Sequence, residues 1–426
     1  MLDFMRELYP VCRSITGEGV RQTLARMRAA GVPLQVHEVP TGTPVFDWTV
    51  PPEWNVRRAW LDDPSGRRIV DFSDHSLHVM SYSVPWQGEL DLEELKPHLH
   101  TLPAHPDWIP YRTSYYTPKW GLCLSHRQYA ALRPGKYRVC IDTDLAPGHL
   151  SYGELEIPGA STDEILVYSH VCHPSLANDN LSGLAVTLWW AKALLSQPQR
   201  RYTYRFVWGP GTIGSLTWLA LNRERWPRIR HGLVAVLLGR PGAFHYKRTR
   251  SGDAEIDRAA ALALREHAPD AVLRDFEPYG YDERQFGSPG IRFNVGRLTR
   301  VPNGEYPEYH SSADNLDLVT AEALTGSLEM CRTIAGVLEQ NHVFHNLAPF
   351  GEPQLGKRGL YRAVGGDVPP EREYAMLWLL NQSDGEHALL DIAERSGLPF
   401  GLLASTAREL VQAGLLRAGN DAKEGT

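Results

Sequence analysis

The sequence predicts a mixed α/β protein: a mainly parallel sheet covered by helices, carrying a small β-rich insertion and a helical C-terminal tail. Three observations predict it. After Gly135, short apolar runs alternate with longer apolar helix-like runs, as in a sheet buried on both faces. Between Phe46 and about Ser125 the texture is tryptophan, proline and short alternating stretches, which suits short strands and turns. Beyond Pro349 a turn-rich stretch leads into three short helical segments.

In chain order, "GVRQTLARMRAAG" reads as a helix followed by a short strand. "FDWTVPPEWNV", "RRIVDFSDHSLHVMSYSV" and "PYRTSYYTPKWGLCL" build the β-rich module. "EILVYSH", "YTYRFVW" and "GLVAVLLG" are buried-type strands, separated by the helices "LSGLAVTLWWAKALLSQ" and "TIGSLTWLALNRE". "GDAEIDRAAALALREH" and "TAEALTGSLEMCRTIAGVLEQ" are further helices. The domains expected are therefore an α/β domain over 1–45 and 127–345, the β-rich domain over 46–126, and a linker plus a final domain over 346–426. In that last segment, three helices with a turn before the third resemble a winged helix-turn-helix. Its expected reading helix, Leu398 to Ala413, offers only Arg408 as a cation against Glu409, which gives duplex DNA little to hold. A role in packing, self-association or binding a protein partner suits the tail better.

Composition narrows the function classes. The 426 residues are 42% hydrophobic and 22% charged, with a net charge of −6, which argues against nucleic acid or anionic membrane as a partner. The N-terminus is charged within six residues and lacks a long apolar core, so no secretory signal is expected. No run approaches the ~18 apolar residues that cross a bilayer. Five scattered cysteines without a CxxC pair suit a reducing cytoplasm.

Chemistry concentrates where an α/β sheet gathers ligands, at the carboxyl ends of strands. "VYSHVCHPSLANDNLSGL" places His170, Cys172, His173 and Asp179 within ten residues of one such end. His170, His173 and Asp179 could supply metal ligands from one loop, and "EYPEYHSSADNLDL" offers His310 far along the chain.

These motifs carry a family resemblance. "NDNLSG" resembles the NDN-x-SG signature of co-catalytic zinc aminopeptidases and glutamate carboxypeptidases. "YHSSADNLD" and "YDERQFGSPGI" resemble two further segments of those enzymes. Over nearly its whole length, through "RSITGEGVRQTL", "VFDWTVPPEWNV", "YKRTRSGDAEIDRA" and "GEPQLGKRGLY", the chain is similar to a bacterial aminopeptidase-like family with a β-rich insert and a C-terminal winged helix. Members are often encoded near polysaccharide or natural-product genes. The resemblance implies zinc. It makes Asp179 the bridging carboxylate, His310 the distal ligand and His170 the first histidine ligand, with His173 competing for that place. Cys172 stands where the wider group has an aspartate. Tyr115, Tyr116 and Trp120 match a "YY-x-x-x-W-G" segment expected to close over a substrate pocket.

Two departures alter the chemistry. Gly211 occupies the position of the family's glutamate in Pro-Glu-Thr-Ile-Gly-Ser, where the wider group keeps its general base and a zinc ligand. Arg240 replaces an aspartate ligand. Losing two carboxylates leaves paired dications under-neutralised, and a cation at 240 repels metal if it points inward. The expectation is a zinc aminopeptidase-like enzyme with one ion or none, acting on a small amino-acyl or peptide-like amide. Glu305, Glu308 or Glu283 would substitute for the base, and Arg240 would bind a substrate acid group. The alternatives are acyl transfer, cyclisation or condensation on the same fold, or a non-catalytic binding protein.

Overall fold

Strand Glu164–His170 is buried along its entire length, because Ile165, Leu166, Val167 and Tyr168 leave neither face for water. It pairs in parallel with Thr203–Gly209 on one side and Ile229–Ala235 on the other. In this computed structural model, which describes residues 1–360 and 370–419, that trio is the centre of an eight-stranded mixed sheet. The order is Gln35–Pro40, His149–Ile157, Thr203–Gly209, Glu164–His170, Ile229–Ala235, Val295–Thr299, His245–Lys247, Val272–Arg274. The parallel centre and its connecting helices, Gly183–Leu195 and Ile213–Leu221, match the expected α/β rhythm. Both flanks contain antiparallel pairs. All three parallel strands send their carboxyl ends to the same edge, so the loops after His170, Gly209 and Ala235 are neighbours.

The flank holds an unusual ion cluster. Arg205 is 1% exposed and donates to Glu154 at 2.6 Å, Glu156 at 2.6 Å and Glu164 at 2.8 Å. Removing one member of a buried charge cluster leaves the others uncompensated, at a cost of about 3–5 kcal/mol. Arg205→Met should therefore lower unfolding free energy in urea by about that much; a change near zero would show the carboxylates relaxing to solvent. Burial opposes ionisation of Glu154, but His37, Arg205 and Trp218 outweigh it and hold its pKa down at about 2. Its contribution to stability is thus complete above pH 4.5 and drains away as pH falls toward 2. Glu154→Gln should flatten the acid limb of a thermal-unfolding series, and an unchanged limb would assign it to other groups.

The β-rich module is an antiparallel four-stranded sheet ordered Arg68–Asp71, Glu53–Asp62, Lys136–Ala146, Trp86–Asp91. It draws its longest strand from beyond residue 126. Contacts divide the chain into two units, residues 1–254 with 270–331, and 255–269 with 332 onward. In the second unit, Val343–Asn346 lies between Asp384–Ala388 and Leu416–Ala418. Helices Pro370–Gln382, Leu389–Ser396 and Phe400–Gln412 complete a winged-helix arrangement. Arg408 on the third helix donates to Gln340 at 2.8 Å, and Glu409 pairs with Arg372. Residues 361–369, at the end of the expected linker, lie outside the described residues. No described helix is long and apolar enough to cross a membrane.

Candidate metal centre

His170 is the last residue of its strand, and the turn that follows folds Asp179 back over it. Each polar residue of Asn178-Asp179-Asn180-Leu181-Ser182 stitches a strand end in place. Asn180 donates to Ser169 Oγ and to the His170 carbonyl, both at 2.9 Å, and accepts the Leu237 N–H at 3.1 Å. Asn178 Oδ1 accepts the N–H groups of Gly239 and Arg240 at 3.0 Å each. Ser182 donates to the Asn178 carbonyl at 2.6 Å. Gly183 has to be glycine: a Cβ there would lie 2.4 Å from Asn180 Oδ1 and 2.8 Å from the Ala235 carbonyl. This hydrogen-bonded knot fixes where the Asp179 carboxylate points.

Three imidazoles meet that carboxylate. His170 Nε2 is 2.7 Å from Oδ1, His310 Nε2 is 3.0 Å from Oδ2, and His173 Nδ1 is 3.8 Å from Oδ1. His170, His173 and Asp179 are buried, and their donor atoms all lie within 4.8 Å of one another. His310 crosses 131 residues of sequence to join them. It sits at φ +55°, a left-handed conformation that few non-glycine residues adopt. Tyr309 stacks on its ring at 3.9 Å, and its carbonyl accepts the Tyr111 N–H at 2.8 Å. Tyr111 in turn sets its ring edge-on to both His173 and His310.

Electrostatics favour a neutral His173 beside an ionised acid. Burial pushes His173 down to about 3. Burial also opposes ionisation of Asp179, but His173, His170 and His310 outweigh it and hold the carboxyl well below its ordinary range. Behind it, Asp314 accepts the N–H groups of Asn178 at 2.6 Å and Asp179 at 3.0 Å. Burial, with Asp179 beside it, pushes Asp314 up to about 7. Burial raises the Cys172 thiol to about 12, so it stays protonated and is a poor ligand.

The donor set fits one metal ion. Zinc bond lengths near 2.0–2.2 Å put tetrahedral donors about 3.3 Å apart, close to the spacings around Asp179. His170 Nδ1 is buried without a hydrogen-bond partner, so the ring is held through its other nitrogen, the one facing Asp179. A second ion does not fit the charge. Among the described residues, Asp179 is the one carboxylate in contact with the three imidazoles.

The space beside Gly211 is already taken. A Cβ on Gly211 would lie 2.2 Å from Cε1 of Tyr281. The Tyr281 ring therefore fills the volume into which a longer side chain at 211 would project. Its hydroxyl donates to the Gly211 carbonyl at 3.2 Å, and its ring packs 4.6 Å from that of His170. The Arg240 guanidinium lies 3.8 Å from Glu308 and 5.7 Å from the Tyr306 ring centroid, so a carboxylate faces this cation.

Several other expected residues are placed elsewhere. Glu283 is buried against Lys247 at 2.9 Å and Arg297 at 3.3 Å; these cations outweigh burial and keep it ionised and occupied. Glu305 is held by both nitrogens of Arg274 at 2.6 Å. Neither is available as a base. Glu308 alone keeps a buried oxygen without a hydrogen bond. Tyr116 is half exposed against Trp48, and Trp120 is stacked between Trp86 and His98; neither closes over the histidines. Tyr115 reaches them only through Tyr111, hydroxyl to hydroxyl at 2.8 Å. Sequence reasoning quoted the segment that opens at Tyr281 without singling that residue out, and missed Tyr111, Asp314 and Arg13 as parts of the site; Arg13 is buried and donates to the His173 carbonyl at 2.9 Å.

Known proteins share this architecture. Residues 2–341 match a family model described as "Domain of unknown function (DUF4910)", and residues 342–418 match a winged helix-turn-helix model. A protein of Clostridium acetobutylicum described as "Putative polysaccharide biosynthesis protein with aminopeptidase-like domain" is 46% identical over 416 residues, covering 97% of this chain and 95% of the relative. The crystal structure of a "putative peptidase" from Clostridium acetobutylicum is 45% identical with a TM-score of 0.93, covering 98% of this chain and 96% of that one. At the level of fold, a zinc aminopeptidase from Bacillus subtilis superposes with a TM-score of 0.56 at 14% identity, over 79% of this chain and 93% of that one. The chain therefore belongs to the DUF4910 family, an aminopeptidase-like α/β domain followed by a winged helix-turn-helix.

Proposed function

We propose that this protein is a single-metal enzyme of zinc aminopeptidase descent that acts at the carbonyl of a small amino-acyl or peptide-like amide. The observation that carries the reading is the convergence of His170, His173 and His310 on the buried carboxylate of Asp179. A zinc ion held by these groups would supply a Lewis acid for the carbonyl and lower the pKa of a bound water. The protein's own part is to keep the site ready. His173 retains its lone pair at neutral pH because burial disfavours its protonation, and Asp179 stays ionised for the reason given above. Arg240, partly exposed beside Glu308, offers a guanidinium to an acid group of the substrate. The relative's name connects the reaction with polysaccharide metabolism.

A specific observation favours transfer over hydrolysis. With Tyr281 filling the space at Gly211, no base can stand at that position to deprotonate water, a loss of about 10²–10⁴ in rate. An amine acceptor brings its own lone pair and needs that base less.

Protein purified without chelator should carry about one zinc per chain by elemental analysis. A content near two would restore the co-catalytic arrangement, and one near zero would remove the enzymatic reading. Aminoacyl-nitroanilides should turn over slowly in water and faster when hydroxylamine is added. Equal rates with and without the acceptor would assign hydrolysis.

A further inference from the structure

A second cavity lies in the β-rich module, on the far side of Tyr115 from Tyr111. It is a cleft of about 660 Å³, within the range of small-molecule sites. Its charge is opposite to that of the protein. The lining contains Arg112, Lys119, His98 and His100, and no aspartate or glutamate, whereas the chain as a whole carries −6. Nearby surface cations are paired, Lys96 with Glu93 and Arg127 with Asp107. Among the described residues neither Arg112 nor Lys119 has a carboxylate partner. Burial, with Arg112 close by, keeps His100 low, so these two side chains carry the positive charge at neutral pH.

One wall is rigid and flat. Trp120 stacks on His98 at 3.7 Å with planes 2° apart and on Trp86 at 4.5 Å, and its carbonyl lies 3.1 Å from His98 Nδ1. Thr113, Thr117 and the ring of Tyr115 line the same space. Unpaired cations beside an aromatic wall in one cleft match an anionic molecule with a polar ring. We infer that this cavity is a binding site for an oxyanion, a phosphate ester or a carboxylate, carried on a sugar-sized molecule. The site requires no metal and stands apart from the reading of the histidine cluster. The Tyr115–Tyr111 hydroxyl contact is the physical link between the two.

Isothermal titration calorimetry of the full chain with glucose 1-phosphate, glucuronate, inorganic phosphate and neutral glucose tests this. The two sugar acids separate phosphate from carboxylate recognition, and inorganic phosphate shows whether the ring contributes. At least one sugar acid should bind, more weakly as salt screens the cations, while neutral glucose gives no heat. Arg112→Gln with Lys119→Gln should weaken that binding by about tenfold or more, with metal content and melting temperature unchanged. Chelated protein should bind as well as metal-loaded protein, so a failure of the metal reading leaves this result intact. Absence of binding by every anion, or undiminished binding by the double variant, would overturn the assignment.

Discussion

Asp179→Asn is expected to empty the metal centre while leaving the fold in place. The substitution keeps the shape of the side chain but removes the one negative charge that faces the three imidazoles. An amide also offers one oxygen where the carboxylate offers Oδ1 to His170 and Oδ2 to His310. Changing outer partners of a metal site already costs about 10–100-fold in affinity, so losing the sole anionic ligand should exceed that range. Activity on any amide should fall in proportion to occupancy. The control is His170→Gln, which should lower zinc content without the change in net charge. Zinc content unaffected by Asp179→Asn, measured by elemental analysis after dialysis, would place the metal elsewhere. The supporting knot from Asn178 to Ser182 bonds through the backbone and through other side chains, so circular dichroism should remain that of the parent.

Gly211→Glu alone should damage the protein instead of restoring a base. The first added atom would sit 2.2 Å from the Tyr281 ring, and overpacking of this kind costs about 1–3 kcal/mol or more. The ring cannot simply step aside, since its hydroxyl donates to the Gly211 carbonyl and its edge packs on His170. Pairing Gly211→Glu with Tyr281→Ala removes the clash and opens room for a carboxylate. The pair should recover most of the lost melting temperature and raise hydrolysis of an aminoacyl-nitroanilide. The added Arg240→Asp change tests whether a second ion then binds. A single Gly211→Glu variant as stable as the parent would mean that Tyr281 has another resting place.

The parallel centre was legible because its strands are buried on both faces and read as unbroken apolar runs. The flank was not. "HLSYGELEI" carries the buried Glu154 inside a strand, and groups distant in sequence, His37, Arg205 and Trp218, make that charge tolerable. The same limit applies at the site. His170, Asp179 and His310 sit in motifs with a known pattern, so their residue types and spacing named them as candidates. Tyr281 opens the quoted "YDERQFGSPGI" segment, but that pattern does not say where its ring goes. That a ring fills the room left by a glycine 70 positions away is a fact about volume, which a linear string does not display. Glu283 and Glu305 looked available for the converse reason, since their cations at 247, 297 and 274 belong to other strands.

The hydrogen bonds between residues 109–111 and 310–312 give the β-rich module a consequence of its own. Ile109 and Ser312 exchange two of them, and Pro110 bridges to Ser311. The third imidazole is thereby clasped by a segment that lies outside the eight-stranded sheet. Cutting residues 109–111 away would leave the loop around 310 without its buttress, so the segment and the histidine cluster have to be exchanged or engineered as a single piece.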